Sequence, residues 1–328
     1  MISFLFYLGF LLGFVVVAVY AERKIAAFIQ NRLGPMEVGP KGILQTIADL
    51  LKMLQKEDIK PDAIDKVPFL IAPIIVFAAV FAGYSVLPVN QDIAGSSIQS
   101  GLFFTLAIVS LDALGLLMAG WASNNKYSLY GAMRAIAQLI SYEIPLGLSV
   151  LCVVIITGTL DLQEMSALQS EKGILSWNLV RHPVLLVPFV LFFIAGLAES
   201  NRTPFDLPES ESELIGGYHT EYSGFRWGMF MLSEYGMMLL LSLLGAILFF
   251  GGWASPFPSH FPLSDSPAIG TIWLLSKAVL FIFVQIWVRW TLPRLRVDQL
   301  MSLSWKYLTP IAIIMLFVCA LWKLWLVS

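Results

Sequence analysis

Eight apolar runs, most of them about twenty residues long, constrain this chain more than any other feature. They cover residues 2–20, 68–89, 101–121, 133–156, 183–199, 227–250, 268–290 and 305–325. A bilayer core about 30 Å thick takes about twenty residues of α-helix to cross. Backbone groups inside that layer find partners only within a helix or a closed barrel. The expectation is an all-α polytopic membrane protein, with eight transmembrane helices in one membrane domain over residues 1–328. The fifth run is the shortest and needs Glu199 or its neighbours to complete it. Composition agrees: 58% of the 328 residues are hydrophobic and 13% are charged, against about 25% charged in a soluble domain. No small-residue cleavage site follows the first run, which reads as a span rather than a removed signal.

The cations are unevenly placed. Sixteen of the twenty lysines and arginines fall before the second run or in the loops after the third, fifth and seventh. The opposite loops hold Lys172 and Arg181, with Lys323 near the end and Lys277 inside a run. The positive-inside rule then puts both termini outside and the odd-numbered loops in the cytoplasm.

Residues 40–57 in the first such loop have helical periodicity. Ile43, Leu44, Ile47, Leu50, Leu51 and Leu54 share one face, with Gln45, Asp49, Lys52, Gln55 and Lys56 opposite. This predicts an amphipathic helix in the interface plane, too short and too charged to span. Such a helix either seals the bundle as a solvated surface element or floors an opening where a lipid-soluble molecule leaves the bilayer. Just before it, Glu22, Arg23 and Lys24 read as charges anchoring the end of the first span. The Gly34-Pro35 and Gly39-Pro40 pairs force turns.

Ionisable groups inside a membrane are costly and mark function or a buried pair. At 1.5 Å per residue, Glu143 lies roughly 13 Å below the cytoplasmic edge and Glu234 roughly 10 Å. Asp112 and Lys277 fall near mid-depth. The stretch AESNRTPFDLPESESEL, residues 198–214, sets acids against the edge of the fifth span. Glu199, Asp206, Glu209, Glu211, Glu213 and Glu221 thus lie in an acidic cytoplasmic loop over 199–226. Together with Glu234, Glu143 and Asp112 they read as a proton-relaying staircase. The alternative is that Glu143 or Asp112 merely satisfies Lys277 or Arg134. Pro145, two residues after Glu143, removes one intrahelical bond and makes room for water. Cys152 and Cys319 cannot ligate an iron–sulfur cluster, which takes four thiolates. His182, His219 and His260 share no metal-ligand spacing. No metal, flavin or iron–sulfur centre is expected in this chain.

Four blocks carry a family resemblance. ESNRTPFDLPESESELIGGYHTEYSG resembles the signature of the H-subunit family of respiratory complex I, which corresponds to subunit 1 of the mitochondrial enzyme. AERKIAAFIQNRLGPMEVGPKGILQTIADLLKMLQKED is similar to that family's first loop and surface helix. GWASNNKYSLYGAMRAIAQLISYEIPLGLSV and LPRLRVDQLMSLSWKYLTP are similar to its later cytoplasmic loops. Essentially the whole chain is covered.

The resemblance implies a membrane subunit of a proton-pumping NADH:quinone oxidoreductase in the bacterial inner membrane, with the acidic loop cytoplasmic. Such a subunit forms the quinone-access chamber and couples quinone reduction to proton translocation without holding a redox centre. Its implied partners are other membrane-arm subunits, the iron–sulfur-bearing subunits of the peripheral arm, lipid and quinone, with no nucleic acid. Glu143, Glu199, Glu209, Glu211, Glu213, Glu221 and Glu234 fall on the family's motif glutamates. Arg23, Arg32, Asp49, Lys52, Arg289, Arg294 and Arg296 fall on its chamber motifs, and Phe225 is grouped with them. Asp112 and Lys277 are further candidates; Asp112 lies outside the family pattern. LGPMEVGP departs from a more basic loop, so Glu37 alters the charge at the entrance. The corresponding subunit of a membrane-bound hydrogenase shares the fold and need not reduce quinone; the intact Gly39–Glu57 helix and the full ESNRTPFDLPESESEL block favour complex I. A secondary transporter would show internal repeats, and a passive anchor would avoid buried acids.

Overall fold

The computed structural model describes residues 2–91, 98–208, 211–257 and 267–327. Helix α1, Ile2–Ile29, does not stop at the charged triplet. Residues 25–29 are again apolar, and the hydrogen-bond ladder continues through them past Glu22, Arg23 and Lys24. A tight turn at Pro40–Gly42 precedes α2, Gln45–Gln55, which is shorter than the expected 40–57. Gly42 has φ +76°, and a Cβ there would lie 2.2 Å from the Pro35 carbonyl oxygen. The loop can fold back on itself only with glycine at that position.

Helix α3 is Lys66–Tyr84. The third run forms two helices, α4 (Gly101–Val109) and α5 (Leu111–Ala122). At the junction the Ser110 hydroxyl donates to the Ala107 carbonyl at 2.8 Å, a local bond that competes with the helical pattern. Asp112 falls in the first turn of α5. Helix α6, Lys126–Thr157, starts on Asn125, whose side chain accepts from the Tyr127 amide, and stops at Gly158 with φ +83°. Pro145 sits within this unbroken helix.

Short helices α7 (Leu162–Ala167) and α8 (Asn178–Arg181) fill the next connection. A turn at Pro183–Leu185 leads into α9, Leu186–Glu199. Then come α10 (Glu211–Leu214), α11 (Gly224–Phe249) and α12 (Pro267–Thr291). Helix α13, Val297–Ser302, passes through a π-type turn at Leu303–Leu308 into α14, Thr309–Val327.

Seven of these stretches are long and apolar enough to cross a membrane, among the described residues: Leu5–Ile29, Lys66–Tyr84, Gly101–Ala122, Lys126–Thr157, Gly224–Phe249, Ala268–Thr291 and Val297–Leu326. The expected fifth span is the shorter apolar stretch Pro183–Glu199. No strand occurs among the described residues.

Helix α11 is the centre of the bundle. Every residue from 235 to 249 is buried, as expected of a helix apolar on all sides. Helices α1, α3, α9 and α12 pack around it. Helix α2 lies against α1 and the start of α11, with Ile43, Ile47, Leu50, Leu51 and Leu54 exposed.

Candidate functional site

Where α1, α2 and α11 meet, they leave a cavity of about 340 Å³. Its walls are almost wholly apolar, among them Leu12, Val16 and Val19 from α1, Leu50 and Met53 from α2, and Met231 from α11. Small residues make the space. A Cβ on Gly13 would meet nothing within 4 Å, and Gly228 faces the Met53 sulfur. The polar exceptions include Arg23, Asp49 and Tyr235. Arg23 donates to Asp49 Oδ2 at 2.5 Å, and Gln45 donates to Oδ1 of the same carboxylate at 3.0 Å. Burial pushes the Asp49 carboxyl up. The bonds from Arg23 and Gln45 and the charges of Arg23 and Lys52 outweigh it, and the net result lies below the usual 3.8. Asp49 is therefore an anion at neutral pH.

Tyr235 connects this cavity to a buried charged cluster. Its hydroxyl donates to Glu22 Oε2 at 2.7 Å. Arg202 approaches the same oxygen at 3.4 Å, with its guanidinium 4.2 Å from the centre of the Tyr235 ring. Arg289 donates to the other carboxylate oxygen, Glu22 Oε1. Glu22 and Arg202 are 5% and 4% exposed. One carboxylate thus holds two arginines drawn from segments far apart in sequence, and removing it takes the counter-charge from a buried pair with Arg202. The family resemblance makes Arg289 a chamber candidate, whereas the residues alone make Glu22 an end anchor and give Arg202 no role. The available signal is the apolar return at residues 25–29, which makes Glu22 interior to a helix.

The acidic loop is fixed to the bundle by specific bonds. Gln138 of α6 donates to the Ala198 carbonyl at 2.7 Å and to Asn201 Oδ1 at 3.1 Å. The Leu295 amide donates to the Pro204 carbonyl at 3.1 Å. Arg294 donates to Asp206 at 3.1 Å and Arg134 to Glu213 at 2.6 Å. Asn125 donates to Glu221 at 2.6 Å. The Arg134 bond and charge hold the exposed Glu213 carboxyl below its ordinary range. A Cβ on Gly131 would come within 2.7 Å of the Gly217 backbone, so α6 and the turn at Gly217–His219 touch main chain to main chain.

The expected staircase resolves into separate settings. Glu199 is buried, with Oε2 lacking a hydrogen-bond partner. Glu143 and Asp112 both act electrostatically on it, so these three acids from α9, α6 and α5 form one group. Asp112 is also buried, with Oδ1 unpartnered. Glu143, expected inside the protein, lies exposed on the surface of the chain in mid-helix. Its position on α6 turns it outward, away from Tyr142, which is buried and donates to the Leu300 carbonyl at 3.0 Å. Glu234 is half-buried and accepts from the Tyr218 hydroxyl at 2.8 Å. Glu209 lies outside the described residues, and Glu211 opens α10.

Lys277 does not join this group. Its ammonium donates to the carbonyls of Gly252 at 2.9 Å and Ala254 at 2.7 Å and lies over Trp177. Arg134 is engaged by Glu213. Neither cation therefore pairs with Glu143 or Asp112, and the simple buried-pair alternative does not hold for them.

Arg32, Glu37, Lys52 and Arg296 are exposed. Phe225, at the start of α11, is 58% exposed. Arg294 is held by Asp206. Among the described residues no group of three or more His, Cys, Asp or Glu is placed to hold a metal ion. Cys152 and Cys319 are both buried free thiols.

Comparison with known proteins follows the same lines. The NADH dehydrogenase family model matches residues 2–320. The second H-type subunit of NADH-quinone oxidoreductase in Cytophaga hutchinsonii is 50% identical, covering 98% of both chains. The NADH-quinone oxidoreductase H-type subunit of Chlorobium luteolum is 51% identical over 94% of this chain and 84% of its own. That of Brevibacillus brevis is 49% identical over 93% of this chain and 88% of its own.

Proposed function

The chain belongs to the NADH dehydrogenase family, as an H-type membrane subunit of NADH-quinone oxidoreductase, and from this we propose that it admits quinone from the bilayer and couples quinone reduction to proton movement. The cavity between α1, α2 and α11 carries the proposal. It is apolar enough for an isoprenoid tail and roomy enough for one chain. It opens beside the exposed apolar face of α2 and ends at Tyr235, which holds Glu22. A quinone head drawn inward meets the Glu22, Arg202 and Arg289 cluster.

Reduction of a quinone takes two electrons and two protons. The electrons come, on this reading, from an iron–sulfur subunit of the peripheral arm docked on the loop face, and this chain supplies no redox centre. Negative charge arising in the chamber draws protons toward it and perturbs nearby carboxylates. The row from the acidic loop through Glu221, Glu234 and Glu199 to Asp112 and Glu143 offers sites for those protons. Glu143 on the chain surface is costly against lipid, which supports its facing another membrane-arm subunit. Eight crossings with both termini outside, and the acidic loop inside the bacterial cell, remain the topology that the cation asymmetry supports. Substrate names of the relatives favour quinone reduction over the chemistry of a membrane-bound hydrogenase.

A quinone analogue with a photoreactive group on its tail tests the proposal on the assembled complex. Adducts should concentrate on α1, α2 and the start of α11, around Val16, Met53 and Met231, and should fall when unlabelled quinone competes. Adducts confined to the connection between α6 and α9 would overturn it.

A further inference from the structure

At the end of the bundle opposite the acidic loop, a second pocket of about 420 Å³ opens between the C-terminal end of α6, the α8 connection and the last turn of α14. It is lined by Arg181, His182, Lys323 and Asn178 together with Ile156 and Leu326, among others, and no acidic side chain among the described residues lines it. The sequence places only four cations away from the loop-rich side, and two of them converge here. Arg181 is exposed and has no ion-pair partner among the described residues. Lys323 donates one hydrogen to the Ile156 carbonyl at 2.6 Å, which leaves two ammonium hydrogens for another acceptor. Trp322 donates to His182 Nδ1 at 3.3 Å, so the neutral ring carries its proton on Nε2 and can donate from there. Burial first, then the Arg181 and Lys323 charges, hold His182 below its ordinary range. Among the described residues, no acidic side chain in the pocket lining offsets the Arg181 and Lys323 charges, and the neutral His182 adds a donor beside them.

The walls leaving the pocket are apolar. Leu186 and Val190, one turn apart on α9, are exposed just beyond His182. On α14, Val318 and Leu326 are exposed, with Trp325 packed against Trp322. Tryptophan at a span end sits at headgroup level. A soluble anion would satisfy the cations but leave these faces bare, whereas a lipid satisfies both.

We propose that this pocket binds the headgroup phosphate of an anionic glycerophospholipid, with its acyl chains lying along α9 and α14. Arg181, Lys323 and His182 are the donors. The bound lipid neutralises the Arg181 and Lys323 charges, accepts from His182, and ties α14 to α9 and to the loop before it.

The assembled complex in phosphatidylcholine nanodiscs, with a small proportion of phosphatidylglycerol carrying a headgroup diazirine, provides the test. Irradiation should give adducts on residues 178–182 and 322–327. Unlabelled phosphatidylglycerol should suppress them, and phosphatidylcholine and millimolar inorganic phosphate should not. Arg181→Gln should lower the yield about fivefold, as expected for one cation near an anionic headgroup, while Arg181→Lys keeps most of it. Quinone reduction by Arg181→Gln should be unchanged. Equal labelling of wild type and Arg181→Gln would overturn the proposal. So would adducts only elsewhere on the chain, or displacement by inorganic phosphate as effective as by phosphatidylglycerol. The competition arms use the wild-type complex and decide the matter independently of how any variant assembles.

Discussion

Glu22 shows how much one side chain can carry in this bundle. It accepts from Tyr235 and holds Arg202 and Arg289, so its loss removes a buried anion from two guanidinium groups. Removing one partner of a buried ion pair costs about 3–5 kcal/mol. Glu22→Ala should therefore lower the unfolding midpoint of the purified complex clearly, and Glu22→Asp by less. An unchanged midpoint in Glu22→Ala would show that the cluster contributes nothing to stability. Glu143 and Glu234 make a different kind of claim. If they relay protons they need an exchangeable proton, not merely a polar atom. Glu143→Gln and Glu234→Gln should each assemble normally yet lose most proton-coupled quinone reduction, with Glu→Asp partly active. Full pumping by the assembled double variant would rule out the relay. The two cases also divide what the sequence reveals. That Glu143 and Glu234 sit within helices long and apolar enough to cross a membrane is legible from the apolar runs that hold them. The role of Glu22 is not, because Arg23 and Lys24 beside it imitate the end of a span, and only the folded chain brings Arg202 and Arg289 to it.

Helix α2 is an element whose sequence pattern carries through to the structure and whose limits do not. The apolar face counted at 100° per residue is the face left exposed, while the helix itself begins only at Gln45 because the Pro40–Gly42 turn uses the residues before it. The same contrast holds elsewhere. Apolar runs locate every long helix, but the break at Ser110 depends on a side-chain bond that periodicity does not register. The extension of α6 back to Lys126 depends on the Asn125 cap. If α2 lies in the interface with its apolar face in lipid, a spin label at Leu54→Cys should be relaxed by oxygen more than by a water-soluble nickel chelate. A label at Lys52→Cys, about 200° around the helix, should show the reverse. Equal exposure of both labels to the nickel reagent would mean a solvated surface helix instead.

On the proposed function, quinone enters the cavity between α1, α2 and α11, and the Glu22 cluster and the acidic group of α5, α6 and α9 act after it. This depends on the cavity staying open. Two glycines of α1 allow a clean experiment, since a Cβ on either Gly13 or Gly9 meets nothing within 4 Å, but only Gly13 lines the cavity. Gly13→Phe and Gly9→Phe should both assemble, and NADH oxidation with a water-soluble artificial acceptor should be unaffected in both. The decisive measurement is KM for a long-tailed quinone in the assembled complex. Gly13→Phe should raise it about tenfold, equivalent to about 1.4 kcal/mol of lost access or binding, and Gly9→Phe should leave it unchanged. An unchanged KM in Gly13→Phe, with the complex intact, would contradict quinone entry between α1, α2 and α11.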